Sequence, residues 1–481
     1  EMAYNKLFLF FIIIIQLCFW LSPSNISQEA KQYFAQAEAY KKEENITQAI
    51  AHYQKAIDLD HQCIEAYQAI SDILKKKEQF VEASQYLEQA LHYSPTNIAL
   101  RFHLGCLYLN VGNIDSAIQA FDYVYHQAPQ MVSALYNKGY ALKTAGRIDD
   151  AIKIYQEVLK KNPHNDGAHL ALGFAYLNKG DFDQGWKQHE RYLKKAKKNA
   201  DKLRTFLKNN ELENKVIFLR PEGGIGDTLN FVRYAQRLKI MGATVIALVQ
   251  KPLIPLLSLC PYIDKLLASN QQIPYDASST FMSLPAVFND NEETFPRTVP
   301  YLIADPTRVQ YWKEKLTSPS FLKIGICWQA DVKNDVSRLS IARRGIPLSQ
   351  FFSLASIPNI QFYSLQQYDG IEQLVNIPDD FPLHVFDNDF DKKYGSFMDT
   401  AAVMEQIDLI ITVDTAIAHL AGALGRPVWL LLPYATDWRW IVNRTTSPWY
   451  PTMRIFKQPK PFDWESVMKT VYDELERIQK K

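Results

Sequence analysis

The sequence predicts an N-terminal all-α repeat solenoid followed by an α/β region built as two Rossmann-like halves. Two observations carry this. Small, large and proline residues recur every 34 positions from residue 30 to about residue 199. After Glu213 that period stops, and short β-rich runs alternate with segments of helical periodicity. The length of 481 residues is enough for roughly two to four domains, each with its own core.

The first segment, residues 1–29, stands apart. Lys6 precedes LFLFFIIIIQLCFWL, residues 7–21, an apolar run broken only by Gln16. That is short for a membrane-spanning helix and about right for a signal sequence or a short anchor. It reads as a targeting element outside the fold.

Residues 30–199 read as five repeats, at 30–63, 64–97, 98–131, 132–165 and 166–199. Gly105, Gly139 and Gly173 keep one register, as do Pro95, Pro129 and Pro163. Ala49, Ala83, Ala117 and Ala151 keep another, continued by Gly185, and Tyr53, Leu87, Phe121 and Tyr155 a third, continued by His189. Small residues let paired helices approach, large ones fill the gap, and proline ends the second helix. This is the tetratricopeptide pattern. The last unit departs from it, as a terminal repeat meeting another domain would. Between Lys187 and Lys208 nine basic residues face two acidic ones, so residues 200–213 read as a basic linker or capping helix with a solvated face.

Beyond it, KVIFLR, TVIALV, LKIGICW, IQFYSL, DLIITV and PVWLLL are expected strands. About 270 residues is too much for one doubly wound sheet of six strands. The stretch DPTRVQYWKEKLTSPS (305–320) is the natural division, giving halves at 214–305 and 306–481. Ligands in such folds sit at the carboxyl ends of strands, which points to the cleft between the halves.

Composition excludes little else. Lys plus Arg number 53 and Asp plus Glu 52, so no global field points to nucleic acid. The cysteines at 18, 63, 106, 260 and 327 have no metal-ligand or redox spacing and read as buried thiols in a reducing compartment.

Three motifs carry chemistry. In RPEGGIGDTLNFVRY (220–234) the glycines at 223, 224 and 226 make a strand-to-helix turn. A dinucleotide fingerprint is excluded, because Leu229 stands where the third glycine belongs and Gln250 ends the second strand in place of an acid. Asp227 then serves either as the N-cap of the helix or as a carboxylate facing the cleft, available as a general base. In ITVDTAIAHLAGALGRPVWLLLP (411–433) a strand delivers Asp414 and Thr415 to a helix start, with His419 one turn later. A hydroxyl and free N–H groups at a helix N-terminus suit a diphosphate. In CWQADVKNDVSRLSIARRGIPL (327–348), Lys333, Arg338, Arg343 and Arg344 could neutralise a diphosphate leaving group. The Asp-rich DNDFD (387–391) reads as a polar loop rather than a metal site. DWRW (437–440) and SPWYP (447–451) are aromatic-rich and either line an acceptor pocket or pack.

Taken together, GGIGDTLNFVRYAQRLKIMGATV, SLPAVF, VPYL, SLQ, MDTAAVMEQIDLIITVDTAIAHLAGALGRPVWLLLP, DWRW and SPWYP resemble bacterial tetratricopeptide-repeat proteins with a heptosyltransferase-like (family 9) glycosyltransferase domain. The resemblance covers residues 30 to about 478. It implies a GT-B fold, with 214–305 on the acceptor side and 306–481 on the nucleotide-sugar side, and inverting transfer without a metal or other cofactor. It implies Asp227 as the base and Asp414, Thr415 and His419 as donor-diphosphate residues, although Ala416 replaces the glycine usual after Asp-Thr. It places Gln366, of SLQ, near the nucleoside and a basic-loop residue on the diphosphate, for which Arg344 is taken over Arg338 and Arg343.

The expected partners are a nucleotide sugar and a glycan, lipid or protein acceptor, with protein partners or self-association through the repeats and no nucleic acid. The competing reading is a repeat scaffold whose glycosyltransferase domain is degenerate. Because bacterial nucleotide sugars are cytoplasmic, the resemblance favours the cytoplasm or the cytoplasmic membrane face, with 7–21 as signal or anchor. The flanking charges, Lys6 against Lys31, Lys41 and Lys42, leave orientation open.

Overall fold

The computed structural model describes residues 27–192, 197–316, 321–331 and 339–480. The expected targeting run, Lys333 and Arg338 lie outside these residues. Contacts between residues divide the chain into two compact units, Glu1–Ala134 and Leu135–Lys481. Among the described residues no helix is long and apolar enough to cross a membrane.

The first unit is a run of helix pairs: α1 (Gln28–Lys42) with α2 (Ile46–Leu59), α3 (Ile64–Lys76) with α4 (Phe80–Tyr93), and α5 (Ile98–Asn110) with α6 (Ile114–Gln127). Asparagines start several helices. Asn97 Oδ1 accepts the Leu100 N–H at 3.1 Å, and Asn45 and Asn113 do the same for Gln48 and Ser116. Such a cap contributes about 1 kcal/mol. Helix α4 ends two residues before Pro95 and α6 two before Pro129, since proline has no N–H to continue the ladder. Ala49, Tyr53, Ala83 and Leu87 of the repeat registers are buried in the core of this unit. Cys63, Cys260 and Cys327 are buried as expected, and Cys106 is half-buried.

The second unit opens with α7 (Val132–Thr144), α8 (Ile148–Lys161), α9 (Asp166–Lys179), α10 (Phe182–Tyr192) and α11 (Lys197–Asn209). Two parallel sheets follow. The first contains β1 (Val216–Arg220), β2 (Thr244–Leu248), β3 (Lys265–Leu267) and β4 (Ala277–Thr280), in the order β3-β2-β1-β4. The second contains β5 (Leu322–Cys327), β6 (Ile360–Ser364), β7 (Leu383–His384), β8 (Leu409–Val413), β9 (Val428–Leu432) and β10 (Met453–Lys457), in the order β10-β9-β8-β5-β6-β7. Every strand pair is parallel. Strands β8 and β9 are buried along their whole length, which explains their continuous apolar runs. The second sheet has the doubly wound Rossmann order, with its first strand flanked on both sides, and the first sheet has the opening part of the same order. In each, the order reverses beside the first strand, at β1/β4 and β5/β8, so a crevice is expected at the carboxyl ends of those strands.

The dividing stretch at 305–320 contains a helix, α14, once α12 (Ile225–Phe231) and α13 (Arg233–Ile240) of the first half are counted. Helix α14 (Pro306–Lys315) starts on an Asp305 cap. Its Arg308 is buried and pairs with Asp399 of α15 (Met398–Met404). Asp399 also accepts the Trp312 Nε1–H at 2.8 Å. The segment is therefore anchored to the second half.

Candidate active site

The first site element is the turn after β1. Helix α12 begins at Ile225, so Gly224 is its N-cap and Asp227 its third residue, which corrects the N-cap reading of Asp227. The carboxylate reaches back so that its Oδ2 accepts the Gly224 N–H at 2.7 Å. Gly223, at φ +82°, lies against that oxygen, and a Cβ there would stand 2.1 Å from it, so only glycine fits. Gln250, at the end of β2 where a dinucleotide site would need an acid, laces the turn instead. It donates to the Gly224 carbonyl at 3.2 Å and accepts from the Thr228 hydroxyl at 2.9 Å.

The second element is the end of β8. Thr415 caps α16 (Ala416–Ala423), its Oγ1 accepting the Ile417 N–H at 3.2 Å. The Asp414 carbonyl accepts a hydrogen bond from Arg344 Nη1 at 3.1 Å, so the basic loop and the helix start meet. His419 is 4% exposed. Its Nδ1 lies 2.9 Å from the Tyr450 hydroxyl, which donates to Asn230 Oδ1 at 3.0 Å. Because the tyrosine proton is given to Asn230, the histidine proton sits on Nδ1, leaving the Nε2 lone pair 4.0 Å from Asp414 Oδ1. Burial first, then the Arg439 and Arg233 guanidinium groups, push the His419 pKa down to about 3, so the ring is neutral at physiological pH.

The two elements meet directly. A Cβ on Gly226 would stand 2.8 Å from His419 Cδ2, so the glycine before Asp227 lets α12 close on the ring of α16. Gly422 of α16 plays a similar part, since a Cβ there would lie 2.5 Å from the Tyr450 ring. Arg439 bridges the halves. Its guanidinium contacts Asp227 Oδ1 and donates to Asp437 Oδ1 at 2.7 Å. Burial opposes its charge, but Asp227 and Asp437 outweigh burial and raise its pKa. Both oxygens of Asp227 are therefore engaged, each with lone pairs to spare. Arg233, 2% exposed, is a second tie. It donates to the Pro296 and Trp449 carbonyls at 3.1 and 2.8 Å and to Asn230 Oδ1 and the Tyr301 hydroxyl.

Gln366 is linked to this cluster through Cys327, whose Sγ lies 3.3 Å from its Oε1 and 3.9 Å from Thr415 Oγ1. Its Oε1 accepts from the Trp328 and Gln329 N–H groups, each at 3.0 Å, and its Nε2 donates to the Gln329 and Asp369 carbonyls. Both amide hydrogens are used on main chain, so this side chain holds the backbone beyond β5 in place. Of the DNDFD loop, Asp391 accepts from the Asp399 and Thr400 N–H groups and from the Thr400 hydroxyl, which spends its carboxylate on the start of α15.

Arg439, Tyr450, Asn230, Arg233 and Glu222 were not singled out in the sequence. All five lie inside quoted motifs, but their roles depend on partners up to about 220 positions away. Glu222 lies in the same turn as Asp227, its Oε2 accepting the Thr280 hydroxyl at 2.5 Å. Burial raises its pKa, against the opposing hydrogen bond from Thr280, and Asp227 adds to the rise.

The fifth repeat reaches this cluster too. Trp186 donates through Nε1 to the Asp290 carbonyl at 3.3 Å and meets Trp438 edge-on at 5.4 Å. Phe174 stacks on Trp438 at 6.1 Å, and Trp438 lies 4.6 Å from the Arg439 guanidinium. His189 Nε2 is 3.9 Å from Glu222 Oε1. Burial, with Arg439 assisting, lowers the His189 pKa to about 4, so at neutral pH this contact is not an ion pair.

Comparison with known proteins adds family context. The profile of glycosyltransferase family 9 (heptosyltransferase) matches residues 396–440, a span that contains Asp414, Thr415, His419 and Arg439 but not Asp227. Tetratricopeptide repeat profiles match 29–63, 64–97, 102–156 and 142–204. Protein FlbA of Caulobacter vibrioides is 29% identical over 178 residues, 37% of this chain and 29% of its own length, so this chain spans under a third of that relative. Among solved structures, MamA MSR-1 C2 is 20% identical, covering 35% of this chain and 97% of its own, at a TM-score of 0.31. YrrB, a TPR protein with an unusual peptide-binding site, is 22% identical over 34% of this chain and 84% of its own, also at 0.31. The chain therefore joins tetratricopeptide repeats to a region that is similar, over residues 396–440, to glycosyltransferase family 9 (heptosyltransferase).

Proposed function

We propose that the chain is a glycosyltransferase that moves a sugar from a nucleotide-sugar donor to a hydroxyl acceptor, with inversion and without a metal. The observation that supports this is the packing of Gly226 on the His419 ring, which brings the turn bearing Asp227 in one half to the helix bearing His419 in the other. Residues 214–305 then form the acceptor side and 306–481 the donor side, behind the repeats at 30–199 and the linker at 200–213. Residues 7–21 remain a proposed signal or anchor, with the rest of the chain in the cytoplasm or at the cytoplasmic face of the membrane.

In this reading Asp227 takes the proton of the acceptor hydroxyl as its oxygen bonds to the donor anomeric carbon. The glycosidic bond breaks and the nucleoside diphosphate leaves with the electron pair. Arg439 fixes the Asp227 rotamer. The Thr415 hydroxyl, the start of α16 and Arg344 meet the diphosphate. His419 meets it through Nε2, where the anionic ligand draws a proton on to the ring. Gln366 acts indirectly, by holding residues 328–329. The commitment of Asp391 to α15 supports a metal-independent route. The acceptor is a glycan, lipid or protein hydroxyl, and the repeats offer a surface for it or for a partner.

The engagement of both Asp227 oxygens favours a second reading, a repeat scaffold whose transferase domain is inactive. One set of measurements separates the two. Under the first reading a nucleotide sugar from a panel raises the melting temperature and is turned over. Asp227→Asn then lowers kcat by about 10²–10⁴ with donor affinity nearly unchanged, and His419→Ala weakens donor binding and lowers kcat. Near-normal turnover in Asp227→Asn removes the base role, and a parent protein that turns over no donor leaves the scaffold.

A further inference from the structure

The short turn Trp438–Trp440 after β9 reaches three parts of the second unit with three consecutive side chains. Trp438 packs on Phe174 and Trp186 of the fifth repeat. Arg439 pairs with Asp227 of the first half. Trp440 stacks on the His419 ring, with 5.4 Å between centroids. Arg439 therefore stands between the proposed base and the proposed donor site. After burial, its charge is the next cause that lowers the His419 pKa. Against burial, Asp414 adds to Asp227 and Asp437 in raising that of Arg439 itself.

The guanidinium is only partly satisfied. Its Nη1 donates to Asp437 Oδ1 at 2.7 Å. Its Nη2 meets Asp227 Oδ1 and the Met282 sulfur, the latter at 3.2 Å. Among the described residues the buried Nε has no hydrogen-bond partner. Nε and Nη2 together form the side-on fork that fits two oxygens of one anion with parallel hydrogen bonds. Asp227 fills only one prong, because its Oδ2 is turned to the Gly224 N–H at 2.7 Å. A buried N–H left unmade is costly, and a phosphate group, with two oxygens on one face, relieves that cost where Asp227 does not. The backbone beside the fork is strained as well. Ile441, which ends the turn, has φ +50° and ψ 140°, a conformation open to glycine and rare for a β-branched residue. Strain of this kind collects at ligand clamps and switch regions.

We infer that Arg439 is a donor-operated switch on the base. In the free protein its Nη2 covers Asp227 Oδ1. When a diphosphate meets Thr415 and the start of α16, the Nε–Nη2 fork turns to two phosphate oxygens. Asp227 Oδ1 is then uncovered to take the acceptor proton. The base is exposed only with the donor in place, and the same arginine that leaves it adds to the charge on the leaving group's side. The roles of donor and base rest on the glycosyltransferase reading; the exchange of Arg439 between Asp227 and a diphosphate does not.

The test labels the carboxylates of the full chain with a water-soluble carbodiimide and an amine, with and without inorganic pyrophosphate, and locates the adducts by mass spectrometry. Pyrophosphate is expected to bind and to raise the labelling rate of Asp227 severalfold. Arg439→Gln should weaken pyrophosphate by about tenfold, the loss of one charge-assisted hydrogen bond. In that variant Asp227 should be labelled at the fast rate whether or not pyrophosphate is present. If Arg439→Gln does not fold, Arg439→Lys keeps the charge without the fork, and pyrophosphate should change its Asp227 rate less than in the parent. No pyrophosphate binding, an Asp227 rate that pyrophosphate leaves unchanged or lowers, or a parent-like response in the variant each overturns the inference. Release of Asp227 by pyrophosphate without turnover of any nucleotide sugar overturns the transferase reading and leaves the switch standing. Turnover of a nucleotide sugar with a constant Asp227 labelling rate does the reverse.

Discussion

The third and fifth repeats share one sequence register and pack differently. In the third, Gly105 faces the Phe121 ring, where a Cβ would come within 2.8 Å of Cε1. The helices are spaced by an aromatic side chain. In the fifth, Gly173 faces main chain, with His189 N at 3.1 Å and the Gly185 carbonyl at 3.2 Å. Gly185 replaces the register alanine, and a Cβ there would stand 2.5 Å from Leu177 Cδ2. With backbones this close, the large side chains are released to a new surface. Leu177, Phe182 and Trp186 join the core of the α/β region, and Phe182 meets Phe295 edge-on at 4.7 Å. The difference teaches that a terminal repeat can serve as a wall of the neighbouring domain without losing the repeat spacing.

The strongest way to break this comparison is truncation of the large side chain in each repeat. Trp186→Ala should cost about 3–5 kcal/mol and lower hydrogen-exchange protection in the strands of the first sheet. Phe121→Ala should cost a similar amount, with the loss of protection confined to the first unit. Equal spread of the two effects, by hydrogen exchange with mass analysis, would remove the distinction.

A smaller effect sharpens it. Gly185→Ala restores the register residue, but the close approach to Leu177 makes it destabilising by about 1–3 kcal/mol. The reciprocal Ala117→Gly should cost about 1 kcal/mol through helix propensity alone. Denaturant midpoints of the two variants check both signs.

The mildest effect is on pH dependence. His189 replaces the large residue of the register and titrates near pH 4, below the usual value of about 6.5. Between these values the unfolded chain takes up a proton that the native state refuses. Stability therefore falls as pH falls through this window, by up to about 1.4 kcal/mol per unit for this residue. His189→Gln should remove that share of the slope, whereas Phe121 has none to remove. Urea unfolding at a series of pH values between 4 and 7 reads the difference.

The two sheets show a similar contrast in what could be read in advance. The expected strands KVIFLR, TVIALV, LKIGICW, IQFYSL, DLIITV and PVWLLL are present, whereas β3, β4, β7 and β10 were not anticipated. KLL, ASST and LH are too short or too polar to carry a periodic signal. MRIFK sits beside a charged end, is an edge strand beside β9, and has on its other side an isolated bridge, Thr446 to Arg454. These strands exist because a parallel neighbour supplies their hydrogen bonds.

Local patterning by itself determined the helix pairs, the central strands and the turns bearing Asp227, Asp414 and Thr415. Each follows from spacing or from turn residues within about a dozen positions. Only the tertiary structure decided that Arg439 bonds to Asp227, that the tautomer of His419 is set by Tyr450 and Asn230, and that Gln366 spends its amide on backbone. It also decided that the fourth and fifth repeats belong to the unit of the two sheets. The physical reason is range. Propensity and periodicity act between neighbours in sequence, whereas a buried guanidinium, amide or imidazole takes its partners from whatever the fold brings to it, here across 212 residues between Asp227 and Arg439.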